Sequence, residues 1–216
     1  VRIARYLGGG HVDGALVLAP HRGDPLPEAV RHLPLPVIFG GRPWVPEQGL
    51  HLVDHDNVGG GRMATEYLLQ QGRKRIVTVA GPQDEMAAIE RLDGWREAAG
   101  LDVRTAELRC EPGDFTELSG EQAMARLLER VPDLDAVFAA NDLMAAGALR
   151  VLHAAGRRVP EDVAVVGYDD QPAIAPRTTP PLTTIRQDAA VRTQHMVDRL
   201  HRLIAGELVL PGREVL

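Results

Sequence analysis

Residues 136–170 read AVFAANDLMAAGALRVLHAAGRRVPEDVAVVGYDD, and this stretch decides the fold. Ala136–Ala139 is a short, unbroken apolar run, the pattern of a strand buried on both faces. Asn141 and Asp142 then open a helix-period segment over 142–155, and Gly156 closes it in the position that tolerates a left-handed backbone. Pro160 keeps the chain extended on its way into a second apolar run, 163–167. Strand, helix and strand in this order make a βαβ unit, with parallel strands and a right-handed crossover. Asn141 and Asp142 stand at the carboxyl end of the first strand, the edge where open α/β sheets hold their ligands.

The alternation continues in both directions. Apolar runs at Ala15–Leu18, 37–39, 52–54, Ile76–Ala80 and 182–185 predict further strands. Helix-period segments at 25–32, 61–71, 89–99, 119–130 and 189–205 predict the helices between and after them. The class is α/β, doubly wound on parallel sheets. Asn57, just ahead of Gly59-Gly60-Gly61, reads as a helix cap, and Gly72 closes that helix. Too few strands precede Val37 to cover a sheet beginning at Ala15, which predicts that a first βαβ unit lies outside this sequence.

The chain of 216 residues is long enough for one or two such domains. Of 24 basic residues all but Lys74 are arginine, while Ser119 and Cys110 are the sole serine and cysteine. One thiol excludes a disulfide framework, and Cys110 reads as a buried apolar filler. Lys74 sits in Gly-Arg-Lys-Arg with no Ser or Thr after it, which excludes a P-loop. Ser119 sits in Glu-Leu-Ser-Gly-Glu, which excludes the G-x-S-x-G nucleophile elbow. No apolar run approaches the roughly 18 residues of a membrane span, and no secretory leader is visible, so a cytoplasmic location without membrane contact is expected. The net charge of −6 argues against this segment itself gripping a phosphate backbone. His51 and His55 are spaced i, i+4 but fall in an extended stretch, and read as a strand end rather than as metal ligands. Gly59-Gly60-Gly61 lacks dinucleotide-binding spacing. No metal, no cofactor and no nucleophile–base pair is expected, which points to a binding protein and not an enzyme.

The stretch 139–149, the segment 158–170 and Pro180-Pro181-Leu182-Thr183-Thr184-Ile185-Arg186-Gln187-Asp188 together resemble the LacI/GalR family of sugar-responsive transcriptional regulators. His11-Val12-Asp13-Gly14, Asp56-Asn57-Val58-Gly59-Gly60-Gly61, Ala80-Gly81-Pro82 and Arg91-Leu92-Asp93-Gly94-Trp95 agree, in order and at the family's spacing. The resemblance implies a type I periplasmic-binding-protein-like fold: two doubly wound parallel-sheet subdomains around a ligand cleft. Residues 1–55 and 187–216 would form the amino-terminal subdomain and 56–186 the carboxyl-terminal one. The family's helix-turn-helix domain and first βαβ unit would lie upstream of this sequence. It further implies a homodimer that couples a small-molecule effector, a mono- or oligosaccharide, to operator DNA, most readily as a repressor. A transport-type periplasmic sugar-binding protein of the same fold is the alternative.

By the same resemblance the effector would be held by Arg91, Asn141, Asp169, Phe115, Gln187 and His55. Arg91 offers a planar fork for paired hydroxyls, and removing it is expected to abolish ligand-induced stabilisation while leaving the fold intact. Asn141 donates and accepts at once, though helix capping is the competing or concurrent use. Asp169 would accept from hydroxyls, with Asp170 next door leaving the assignment open by one residue. Phe115 would pack on the sugar ring, or else fill the core. Gln187 lies at a crossover between subdomains, and His55 at the first such crossover. Gly40-Gly41 stands where some sugar-binding members carry an aspartate, and Ala189 where others are bulky. Both changes are expected to enlarge the pocket toward a larger ligand. The helix 142–155, with Ala145, Ala146, Gly147 and Ala148, and the loop 171–181 would contribute to the dimer face.

Overall fold

In β2 (Val37–Gly40) and β3 (His51–Asp54), Val37, Phe39 and Leu52 join one apolar cluster while Ile38 and Val53 join another. Successive side chains of a strand face opposite ways, so this arrangement needs helices on both sides of the sheet. With β1 (Ala15–Leu18) and β9 (Gly212–Val215) the strands form a sheet of order β1-β2-β3-β9, every pair parallel. α1 (Arg2–Leu7) and α2 (Leu26–Ala29), the latter continued by a 3-10 turn at Val30–His32, cover one face. α8 (Ala189–Ile204) covers the other through Met196, Leu200 and Leu203.

The second sheet has order β5-β4-β6-β7-β8, again wholly parallel. Its strands are β4 (Ile76–Ala80), β5 (Cys110–Pro112), β6 (Ala136–Ala139), β7 (Ala164–Asp169) and β8 (Thr183–Arg186). Val77, Val79, Val137, Ala139 and Val165 pack under α6 (Glu117–Arg130) and α7 (Asp142–Ala154). Ile76, Ala80, Phe138, Val166 and Tyr168 pack under α3 (Asn57–Gln70), α4 (Met86–Ala99) and α5 (Val103–Leu108). The computed structural model describes residues 2–216 and divides them into two units. One comprises residues 2–56, Asp84–Ala87 and Asp188–Leu216, the other Asn57–Gln83 and Ala88–Gln187.

Glycines set the helix layers of the second unit. A Cβ on Gly61 would lie 2.2 Å from the Arg91 carbonyl oxygen, and one on Gly94 would lie 2.1 Å from that of Val58. α3 and α4 therefore meet backbone to backbone. α6 and α7 do the same: a Cβ on Gly147 would stand 2.1 Å from the Glu117 carbonyl and one on Gly120 2.3 Å from that of Met144. This corrects one expectation. Ala145, Gly147 and Ala148 are buried within the unit, Gly147 against α6 and Ala145 toward Gly167 of β7, so these three do not face a second subunit, while Ala146 is half-buried.

Gly40 is also corrected. A Cβ there would fall 2.5 Å from Leu18 Cδ2 and 2.9 Å from Met196 Sδ, so the space at Gly40 is already filled, whereas a Cβ on Gly41 would meet only Pro20 Cδ, at 3.9 Å. α3 starts at Asn57, four residues before the expected 61, because the glycine run lies inside the helix as its contact face. The sequence reading did not find α1, α5, β5 or β9. β5 has three residues, and β9 (Gly-Arg-Glu-Val) is a polar edge strand without an apolar run.

Candidate functional site

α4 after β4, the turns after β5, β6 and β8, and the last residue of β7 bring Arg91, Phe115, Asn141, Gln187 and Asp169 together at the carboxyl end of the second sheet. α4 presents Arg91 inward at 5% exposure. A buried cation is tolerated only with partners, and this one has several. Its Nε donates to Asn57 Oδ1 at 3.0 Å, Nη1 to the Ala140 carbonyl at 2.6 Å, and Nη2 to Gln187 Oε1 at 3.1 Å. Asp169 Oδ1 lies 3.5 Å from Nη1 and supplies the counter-charge. The guanidinium also stacks on Tyr168, 3.8 Å from the ring centroid, and lies 5.9 Å from the Phe115 ring. Arg91 is thus part of the unit's interior as well as of its edge, which revises the expectation that its removal leaves the fold intact.

Asn141 caps α7, its Oδ1 accepting from the Met144 N–H at 2.8 Å, while Nδ2 donates to the Phe115 carbonyl at 3.0 Å. Capping and the Phe115 bond together occupy half of the amide. One N–H and one acceptor position are left, enough for a single hydroxyl. Phe115 leans over Gly81, where a Cβ would come within 2.5 Å of Cε1, so glycine is required beneath the ring.

Backbone conformation marks the same residues. Phe115 (φ 66°), Asp169 (φ 104°) and Asp170 (φ 55°) are three of the four non-glycine residues with positive φ among those described. Such conformations are strained for L-residues and persist only where the surroundings hold them. Asp169 and Asp170 also separate here. Asp169 sits beside Arg91 and accepts from Gln171 Nε2 at 3.2 Å, whereas the Asp170 carboxylate is half-exposed and 3.9 Å from Arg186.

His55 falls in the first unit, half-buried just after β3, where its N–H donates to Asp54 Oδ1 at 2.9 Å. Glu85 is likewise in the first unit, 3.5 Å from His21 Nε2. The sequence reading missed three partners of Arg91. Asn57, expected as a cap, spends its side-chain oxygen on Arg91 and its Nδ2 on Glu90 Oε2 at 3.4 Å. Its rarity in the chain was the available signal. Tyr168 was signalled by its place in the Gly-Tyr-Asp-Asp motif. The Ala140 carbonyl, being backbone, left no trace in the sequence.

Burial raises the Asp142 carboxyl above its usual range, against hydrogen bonds from Thr184 and Gln171, with Asp169 and Asp170 adding to the rise. Among the described residues no group of three or more His, Cys, Asp or Glu is placed to hold a metal, and no helix is long and apolar enough to cross a membrane.

Comparison with known proteins fits this geometry. The periplasmic binding protein-like domain family matches residues 65–216. The HTH-type transcriptional regulator CelR of Thermobifida fusca is 51% identical over 219 residues, covering all of this chain. The chain spans 64% of that relative's length. A solved CelR–cellobiose complex superposes with a TM-score of 0.94 at 51% identity, over 100% of this chain and 66% of the other. The lac repressor dimer bound to operator and an anti-inducer gives a TM-score of 0.86 at 30% identity, over 99% of this chain and 73% of the other. The chain belongs to the LacI/GalR family of transcriptional regulators, whose effector-binding core has this periplasmic-binding-protein-like fold.

Proposed function

We propose that this chain is the effector-binding core of a sugar-responsive transcriptional repressor, cytoplasmic and homodimeric, that reaches operator DNA through a helix-turn-helix domain upstream of it. The observation that carries the reading is the pair of buried Arg91 and part-exposed Asp169 at the carboxyl edge of the sheet, ringed by Phe115, Asn141 and Gln187. Cation and carboxylate side by side offer donors and acceptors to adjacent hydroxyls, and an aromatic face suits the C–H surface of a pyranose. A sugar hydroxyl entering here accepts an Arg91 N–H in place of Gln187 and donates its own hydrogen to Asp169. The effector class is a mono- or oligosaccharide, and cellobiose is the first to test, given the 51% identity to a regulator solved with it.

No bond is made or broken in this scheme: Arg91, Asn141, Asp169, Phe115, Gln187 and His55 bind only. The subdomains of the functional protein are taken as 1–55 with 187–216, and 56–186. Binding favours one of their arrangements over another, and operator and effector affinities are then reciprocally coupled. Thermal denaturation of the chain with cellobiose, cellotriose, glucose and ribose tests the first step. Stabilisation by one sugar, lost in Asp169→Asn, supports the site, and no stabilisation by any of them refutes the sugar reading. Operator release by that sugar from the full-length protein tests the second step, and turnover of the sugar would overturn the binding role.

A further inference from the structure

Asp142 follows Asn141 at the start of α7 and is fully buried. Its Oδ1 accepts from Thr184 Oγ1 at 2.6 Å, and its Oδ2 accepts from the Gln171 backbone N–H at 2.7 Å. Thr184 Oγ1 in turn accepts from the Asp170 backbone N–H at 3.3 Å. A glycine makes this reach possible. Gly167 on β7 is paired with Thr184 on β8, and a Cβ on Gly167 would lie 2.5 Å from Asp142 Oδ1. The carboxylate occupies the space that a side chain at 167 would fill.

The two N–H groups held this way belong to Asp170 and Gln171, directly after Asp169 and next to its left-handed backbone. A strained pair of consecutive residues unwinds unless its surroundings fix it. We propose that Asp142 is a positioning residue, which through Thr184 and the Gln171 N–H locks the 169–171 turn so that the Asp169 carboxylate stands beside Arg91. Its neighbour Asn141 braces the other strained site residue, Phe115, through the carbonyl bond. Two adjacent residues at one helix start thus hold both irregular segments of the site. The inference rests on the reading of Asp169 as a ligand contact, but the turn itself is testable without a ligand.

Thr184→Val removes the bridging hydroxyl at nearly constant shape, and Thr184→Ser restores it. Amide hydrogen exchange in the absence of sugar reads the turn. Asp170 and Gln171 are expected to exchange at least about tenfold faster in Thr184→Val, with β4 and β6 amides unchanged, and to return to the parent rate in Thr184→Ser. Asp142→Asn, which leaves one acceptor where two are needed, speeds exchange at the same two amides. Cellobiose affinity is expected to fall by roughly tenfold in Thr184→Val and to recover in Thr184→Ser. Parent-like exchange at 170 and 171 in both Thr184→Val and Asp142→Asn overturns the proposal, as does an affinity loss that Thr184→Ser fails to rescue. A parent protein that does not bind cellobiose counts against the effector reading alone, and the exchange comparison then decides the positioning role.

Discussion

Replacing Arg91 by alanine is expected to weaken the second unit itself, beyond any effect on ligand. The substitution leaves the Ala140 carbonyl without its donor and takes one donor from Asn57 Oδ1, in residues that are each 1% exposed. An orphaned buried acceptor costs about 1–3 kcal/mol, and a charged donor places the loss in the upper part of that range. Asp169 loses its cation too, but its side chain is 22% exposed and water recovers part of that energy. With about 2–3 kcal/mol at the Ala140 carbonyl and about 1 kcal/mol more from Asn57 and Asp169 together, the loss is about 3–4 kcal/mol, which for a unit of this size lowers the melting temperature by roughly 10 °C. Trp95 is fully buried in the same unit, so its fluorescence during urea or thermal unfolding reports the change. Arg91→Lys keeps the charge but cannot fork among three acceptors, and should fall between parent and alanine. An Arg91→Ala protein within about 1 kcal/mol of the parent would show that the guanidinium's hydrogen bonds carry no net stability, refuting the reasoning. Gln187 is half-buried and only accepts from Arg91, so Gln187→Ala is the cleaner variant for separating binding from folding.

Other outcomes are expected from single features. Gly94→Ala puts a Cβ against the Val58 carbonyl, and the overpacking cost of about 1–3 kcal/mol exceeds the alanine helix-propensity gain of about 1 kcal/mol, so the urea midpoint should drop; an unchanged or raised midpoint would mean that α3 and α4 separate freely. Burial, then the Arg199 charge, lowers the His51 pKa from its ordinary 6.5, and Nδ1 accepts from Arg199 Nε at 3.3 Å. The folded state therefore binds fewer protons, so stability present above about pH 6.5 is lost as the pH falls through the lower folded value, and His51→Gln should flatten that part of the urea-midpoint profile. Burial pushes the Cys110 thiol up to about 11, so a thiol reagent at pH 8 should label this half-buried residue more slowly than a free thiol until the second unit unfolds; labelling at the free-thiol rate in the folded protein would contradict the raised pKa.

Much of the fold was legible because parallel strands buried on both faces must be apolar without interruption. Ile76–Ala80 and Ala136–Ala139 were read to the residue for that reason. β9 escaped because it is an edge strand whose alternate side chains meet solvent, and α5 because six residues carry too little periodicity, despite the Asp102 cap. The site was legible as a set of residue types in family motifs. Five of its six members gather within one unit, yet Arg91's mode of burial was not foreseen, since two of its acceptors are a backbone carbonyl and an asparagine assigned to capping. Ala145, Gly147 and Ala148 of α7 were misassigned for a related reason: sequence reveals that a close approach is allowed, but not what approaches.

By itself the sequence determined the βαβ alternation, the strand ends at which the candidate site gathers, and the exclusion of P-loop and serine-nucleophile chemistry. Those follow from local pattern and from residue counts, which need no knowledge of distant contacts. Only the tertiary structure decided that Asp169, and not Asp170, faces Arg91, and that Asp142 reaches Thr184 across the empty side-chain position of Gly167. These depend on strand register and on a left-handed turn held by hydrogen bonds between residues 14 to 42 positions apart. Pairings at such separations are fixed by the packing of whole elements, and no local pattern encodes them.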